Sequence, residues 1–157
     1  MKVGNITLPA SSSARDLGVI LDSHLTLDKH IAHVCKTSSF GLRLIGSIRK
    51  YLNQSQAETL VHAFVTSRLN ASNSLLLGLP DWQMKKLQSI QNTAARLVTL
   101  KKKRDHITPI LMGLHWLPFL QGIKFKTLLL TYKSLHALAP PYISELLVPL
   151  NHGPRQL

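Results

Sequence analysis

The sequence predicts a mainly α fold: a helical bundle behind a short N-terminal β-hairpin. Three observations predict it. Past Thr26 the apolar residues recur at steps of three, four and seven, the spacing of one helix face. Before Thr26, two short apolar runs flank a turn-like cluster. Beyond residue 70, Gly and Pro cut the chain into segments of helix length. The 157 residues suit one domain, or one with a small appendage, and 45% hydrophobic content argues against wholesale disorder.

The first run is Lys2 to Leu8, with Val3, Ile6 and Leu8 apolar; Pro9 to Ser13 is the turn, and Asp16 to Asp22 the second run. An isolated hairpin is marginal in water, so it should pack on the rest. Ile31, Val34, Ser38, Leu42, Ile45 and Leu52 share one face of a first helix, in which Gly41 and Gly46 weaken the helix or permit close packing. Ser55 with Glu58 reads as a capping box opening a second helix through Leu60, Val61, Phe64, Val65 and Leu69. After the break at Gly78-Leu79-Pro80, Asp81 caps a third helix with Leu87, Ile90, Ala94, Leu97 and Val98 as its buried stripe. Thr108-Pro109 starts another. Phe119 to Leu138 reads as a long apolar helix, stopped by Ala139-Pro140-Pro141, and Tyr142 to Val148 as a last short one.

Composition narrows the function. Lys and Arg number 19 against 7 acids, a net charge of +12, in a chain with only 17% charged residues. Such an imbalance calls for an anionic partner, nucleic acid before a membrane surface. One cysteine excludes a disulfide framework and a Cys-rich zinc module. No stretch reads as a secretory signal, and the longest run without charged residues, His106 to Ile123, contains Pro109 and Pro118. The expected location is intracellular, cytoplasmic or nuclear, with no membrane partner.

No catalytic constellation emerges. The acids Asp16, Asp22, Asp28, Glu58, Asp81, Asp105 and Glu145 are scattered, whereas two-metal phosphoryl transfer needs converging carboxylates. Gly-rich phosphate loops and a GxSxG elbow are absent. His30, His33 and Cys35 read as surface histidines beside a buried thiol rather than metal ligands. His106 and His115 read as structural, and Trp116, Phe119, Phe125 and Tyr132 as core. No catalytic or metal-binding residue and no cofactor are therefore assigned.

The positive charge is patterned. Lys29, Lys36, Arg43 and Lys50 recur every seven residues, a slowly drifting helix stripe with about 10 Å between successive members. A second cluster holds Lys85, Lys86, Arg96, Lys101, Lys102, Lys103, Arg104, Lys124, Lys126 and Lys133 against Asp105 alone. The expected backbone-binding set is Lys29, Lys36, Arg43, Arg49, Lys50, Lys85, Lys86, Arg96 and Lys101 to Arg104, meeting RNA or DNA without sequence preference. Gln88, Gln91 and Asn92 lie beside it as weaker candidates for sugar or base contacts. Ordinary helix faces mix charge signs and these do not.

A series of short motifs runs along the chain in order: Arg15-Asp16-Leu17-Gly18-Val19-Ile20-Leu21-Asp22, Leu60-Val61-His62-Ala63-Phe64, Ser67-Arg68-Leu69, Gly78-Leu79-Pro80, Gln91-Asn92 with Ala94-Ala95-Arg96, Arg104-Asp105-His106-Ile107-Thr108-Pro109, Leu114-His115-Trp116-Leu117-Pro118, Lys133-Ser134-Leu135 and Ala139-Pro140-Pro141-Tyr142. In this order they resemble the C-terminal part of reverse transcriptases of jockey-like non-LTR retrotransposons (LINEs), over roughly Arg15 to Leu147. The resemblance implies a thumb-like bundle. Residues 1–25 would be the end of the palm, 26–104 the thumb-like region and 105–157 a C-terminal helical extension. It implies a non-catalytic fragment of an RNA-directed DNA polymerase, since the family's Asp-Asp box lies upstream. Mg²⁺ would belong only to the full-length enzyme. The Lys29 to Lys50 stripe would grip template and primer. Such proteins usually read Asp-Tyr-Cys where this chain has Asn70-Ala71-Ser72, and Arg where it has Gly122. The rival expectations are an inert retrotransposon-derived relic and a helical protein-interaction module. Apolar faces that would have met the palm invite self-association.

Overall fold

A computed structural model describes residues 2–3, 6–7 and 11–148. The fold is mainly helical with an antiparallel N-terminal hairpin, as the sequence predicts. The strand pairing differs. The first apolar run folds on itself, β1 (Lys2–Val3) pairing with β2 (Ile6–Thr7), and the second pairs with the residues just before it, β3 (Ser13–Asp16) with β4 (Val19–Asp22). The second turn is Leu17-Gly18, at φ 44° and 87°. Positive φ at both positions suits the right-handed twist of a two-residue hairpin loop. Leu17 hides this turn in the sequence, because an apolar residue at positive φ carries no turn signal; its side chain is 94% exposed. The expected turn residues Pro9 and Ala10, and Leu8, lie outside the described residues.

Asp22 joins the hairpin to the first helix, α1 (Asp28–Ile48). Its carboxylate accepts hydrogen bonds from the backbone N–H groups of His24, Thr26 and Leu27 at 3.1, 3.0 and 2.8 Å, and from the Thr26 hydroxyl at 3.0 Å. These donors, the Thr26 N–H first, hold the carboxyl below the usual aspartate range despite some desolvation. Ile31, Val34, Ser38, Leu42 and Ile45 are buried, as their spacing requires, and Leu52 packs against them beyond the helix end.

After a 3₁₀ turn (Arg49–Tyr51) comes α2 (Gln54–Val61). Its capping box is formed two residues earlier than Ser55 and Glu58 suggest. Asn53 Oδ1 accepts from the Gln56 N–H at 2.8 Å, and Gln56 Oε1 accepts from the Asn53 N–H at 3.0 Å. The amides of Asn and Gln make the same reciprocal contact as Ser and Glu, and they sit where the chain turns. The expected second helix is then interrupted by a π turn (His62–Thr66) before α3 (Ser67–Asn70). A 3₁₀ segment (Asn73–Leu76) follows.

The longest later helices are α4 (Asp81–Thr99) and α6 (Phe119–Leu135), with α5 (Ile107–Gly113) between them and α7 (Pro141–Ser144) last. Asp81 does not cap α4. Pro80 holds that position and Asp81 sits in the first turn, where its charge complements the helix dipole. Helix α5 begins at Ile107, one residue before the expected start at Thr108. Helix α6 ends at Leu135 rather than Leu138, and α7 begins with Pro141 at its first position. One core runs from Val19 of the hairpin through α1, α2 and α4 to Ile123 of α6. Phe119 belongs to it; Phe125 and Tyr132, expected there, are 58% and 55% exposed.

Candidate nucleic-acid interface

Helices α1 and α4 lie side by side and run in the same direction. At one end Gln83 Nε2 donates to Asp28 Oδ1 at 2.5 Å. At the other, Arg49 donates to the carbonyls of Leu97 and Val98 at 2.8 and 2.7 Å. Parallel packing places the C-terminal ends of both helices together, with Lys50 beyond one and Lys101 to Arg104 beyond the other. It also sets Arg43 against Ile90, Thr93 and Leu97 along the groove between the two helices. Lys86 faces α1 from α4 closely enough to oppose the upward push that burial gives the Cys35 thiol.

The cations of this surface differ in what they can still bind. Lys36, Arg43, Lys85 and Lys101 to Arg104 are exposed. Lys50 and Lys86 are exposed too, with their ammonium groups 4.8 Å above the Tyr51 ring and 4.4 Å above the Trp82 ring. Lys29 Nζ donates to Ser13 Oγ at 3.1 Å, which ties it to the hairpin. Arg96 is half-buried and its Nη2 donates to the Asp105 carbonyl at 3.3 Å. Arg49 must be removed from the set. It is 7% exposed, and its third contact, Nη1 to the Leu52 carbonyl at 2.6 Å, engages both terminal amines and Nε in holding backbone oxygens. A helix C-terminus has unpaired carbonyls, and a planar guanidinium satisfies several at once.

Among the described residues no Lys or Arg side chain forms an ion pair; the one carboxylate in contact with a basic side chain is Glu58, 3.6 Å from His62. Two other acids are engaged by uncharged donors. Asp105 accepts the Lys102 backbone N–H at 2.7 Å and Asp28 receives Gln83. Gln88, Gln91 and Asn92, weak candidates for base contacts, bind one another or the chain: Gln88 Oε1 accepts the Phe119 N–H at 2.7 Å, which caps α6, and Gln91 donates to the Leu117 carbonyl at 2.9 Å.

No family model, curated protein or solved structure matches this chain.

The histidines and the thiol are arranged differently from the sequence expectation. His30 is buried at 6% exposure, and its Nδ1 accepts the Ile20 N–H at 3.4 Å; Cys35 is only half-buried. Burial lowers the His30 pKa, and the neighbouring charges of His33 and Arg15 lower it further. Among the described residues no three His, Cys, Asp or Glu side chains form a group able to hold a metal ion, and no helix is long and apolar enough to cross a membrane.

Sequence pattern does not foretell one further feature, a cleft of about 450 Å³ walled by the π turn, the 3₁₀ segment, α4, the loop before α6 and α6 itself. Its residues come from separate segments, and the π turn that aims His62 and Thr66 into it has no sequence signature.

Proposed function

We propose that this chain binds nucleic-acid backbones through the exposed basic residues of α1, α4 and the segment after α4, as a non-catalytic, thumb-like part derived from a LINE-type reverse transcriptase. The observation that carries the reading is that, among the described residues, no acidic side chain pairs with these cations, while Arg43 lines the groove between α1 and α4 and Lys50 and Lys101 to Arg104 follow the neighbouring ends of the two helices. Phosphate binding releases condensed counterions, so it rewards cations that no carboxylate neutralises. A purely structural role for these residues would be to balance the negative ends of α1 and α4. Lys50 and Lys101 to Arg104 are placed for that, but Lys36, Lys85 and Lys86 are not at helix C-termini.

The test is binding of the folded chain to a short RNA–DNA hybrid across a salt series. With four to six phosphate contacts, log K falls against log salt at a slope of about −3 to −5. Unrelated sequences give the same slope, because backbone contacts carry no base information. Lys36→Glu with Arg43→Glu flattens the slope and weakens binding. Absence of binding at low salt from a folded, monomeric sample sinks the reading.

A second reading, a helical protein-interaction module, is favoured by one observation. Phe125, Leu128, Tyr132 and Leu135 form an exposed apolar stripe on α6.

A further inference from the structure

From the cleft beside α6 we infer a second binding site, which takes one nucleotide unit: a planar nitrogenous base with its phosphate. The walls are aromatic. The His62 and Trp116 rings lie 5.2 Å apart, inclined by 59°, and Phe125 borders the same space. Such walls favour a flat π-system. Within the cleft Asn73 is 4% exposed; its Nδ2 donates to Asn70 Oδ1 at 3.4 Å, but its Oδ1 has no partner. A buried acceptor left unmet is costly, so the occupant should bring an N–H donor, as the exocyclic amines of adenine, guanine and cytosine do.

The charge requirement is equally specific. Lys126 stands at the rim with its Nζ 3.5 Å from the Asn70 carbonyl, and no Asp or Glu lines the cleft. An anion at the rim therefore meets a cation that no carboxylate pairs with. The volume, about 450 Å³, falls in the range of small-ligand sites. Gly122 lines it, and a Cβ there would meet nothing within 4 Å, so a larger side chain has room beside it. A neutral aromatic leaves Lys126 unused, and phosphate alone leaves Asn73 and the rings unused. A nucleotide meets all three.

This inference does not rest on backbone binding, because none of the cations proposed for the backbone surface lines the cleft. The nucleotide has two sources: a free mononucleotide, or an unpaired residue of a strand. The chain has two tryptophans, so a Trp82→Phe background leaves Trp116 as the reporter. In that background the folded chain is titrated with AMP and, separately, with a short oligoadenylate, following tryptophan emission. Saturable quenching by either ligand is the expected result. Quenching by AMP identifies the free nucleotide as sufficient, and quenching by the oligoadenylate alone identifies the strand residue.

Three variants make the result specific. Lys126→Ala weakens binding about tenfold, the loss of one charge-assisted contact. Gly122→Leu fills the cleft and abolishes quenching, while its melting temperature stays level or rises because Leu favours helix over Gly. Lys36→Glu with Arg43→Glu leaves AMP quenching unchanged, so this site and the backbone surface fail separately. The inference is overturned if neither ligand quenches saturably, if Gly122→Leu binds as the parent does, or if inorganic phosphate competes as well as AMP.

Discussion

His30 shows how one side chain ties stability to pH. Its Nδ1 must be unprotonated to accept the Ile20 N–H, and burial with two basic neighbours keeps it so to lower pH than in the unfolded chain. Between those two pKa values the unfolded state binds more protons, so stability falls as pH drops below about 6.5. Thermal melts across pH 5 to 8, roughly the span in which histidine titrates, should show this decline, and His30→Gln, whose amide oxygen can still accept, should flatten it. An equally steep decline in the variant would remove His30 as the cause. The Asp22 contribution lies lower: its carboxyl pKa is depressed, so that contribution is present above the ordinary aspartate range and lost as pH falls through the folded value. Neither role was legible in the sequence, where His30 looks like one more exposed histidine on a polar face. Its burial depends on the hairpin folding over it, a contact ten residues back.

At the scale of elements, period was a good guide and termini were poor ones. The stripe of α4 was legible because Leu87, Ala94 and Val98 must all face one way to be buried. Caps depend on single side chains, so Asn53 and Pro80 displaced the expected Ser55 and Asp81. Helix α6 has the opposite problem. Apolar residues occupy its buried and exposed sides alike, so its composition did not say which side faces the core. The basic surface was legible as charge but not as a seam, because nothing local says that α1 and α4 run parallel. Arg49 makes the point: it belongs to the same basic run as Lys50, yet one guanidinium closes α1 onto the end of α4 and the neighbouring ammonium stays in water. Arg49→Met should cost about 3 kcal/mol, from charge-assisted bonds lost and carbonyls left unpaired. Arg49→Lys should recover little of it, since one ammonium cannot span the same carbonyls. Urea unfolding of the three proteins measures both, and a loss under about 0.5 kcal/mol for Arg49→Met, the usual range for surface changes, would show that the contacts are dispensable.

For the whole molecule, two surfaces of opposite character coexist. One is the cationic seam and pole; the other is the apolar stripe of Phe125, Leu128, Tyr132 and Leu135, with Leu138 and Tyr142 also exposed beyond it. They respond to salt in opposite directions, since screening weakens phosphate contacts while kosmotropic salts strengthen apolar burial. Light scattering without nucleic acid should show association that increases with added sulfate. Leu128→Glu with Leu135→Glu should abolish it without lowering the melting temperature, because these side chains are 68% and 63% exposed. Association that vanishes in high salt would instead assign it to charge.

The common direction of α1 and α4 has a kinetic consequence. Adjacent antiparallel helices can zip from the turn that joins them, but two parallel ones cannot. The chain must first travel back the full length of α1, through α2, the π turn and α3, before α4 can be laid down. The Arg49–Val98 contact closes a loop of 49 residues. That closure entropy comes due before the seam returns any of it, so the surface that carries the cations is assembled late in folding.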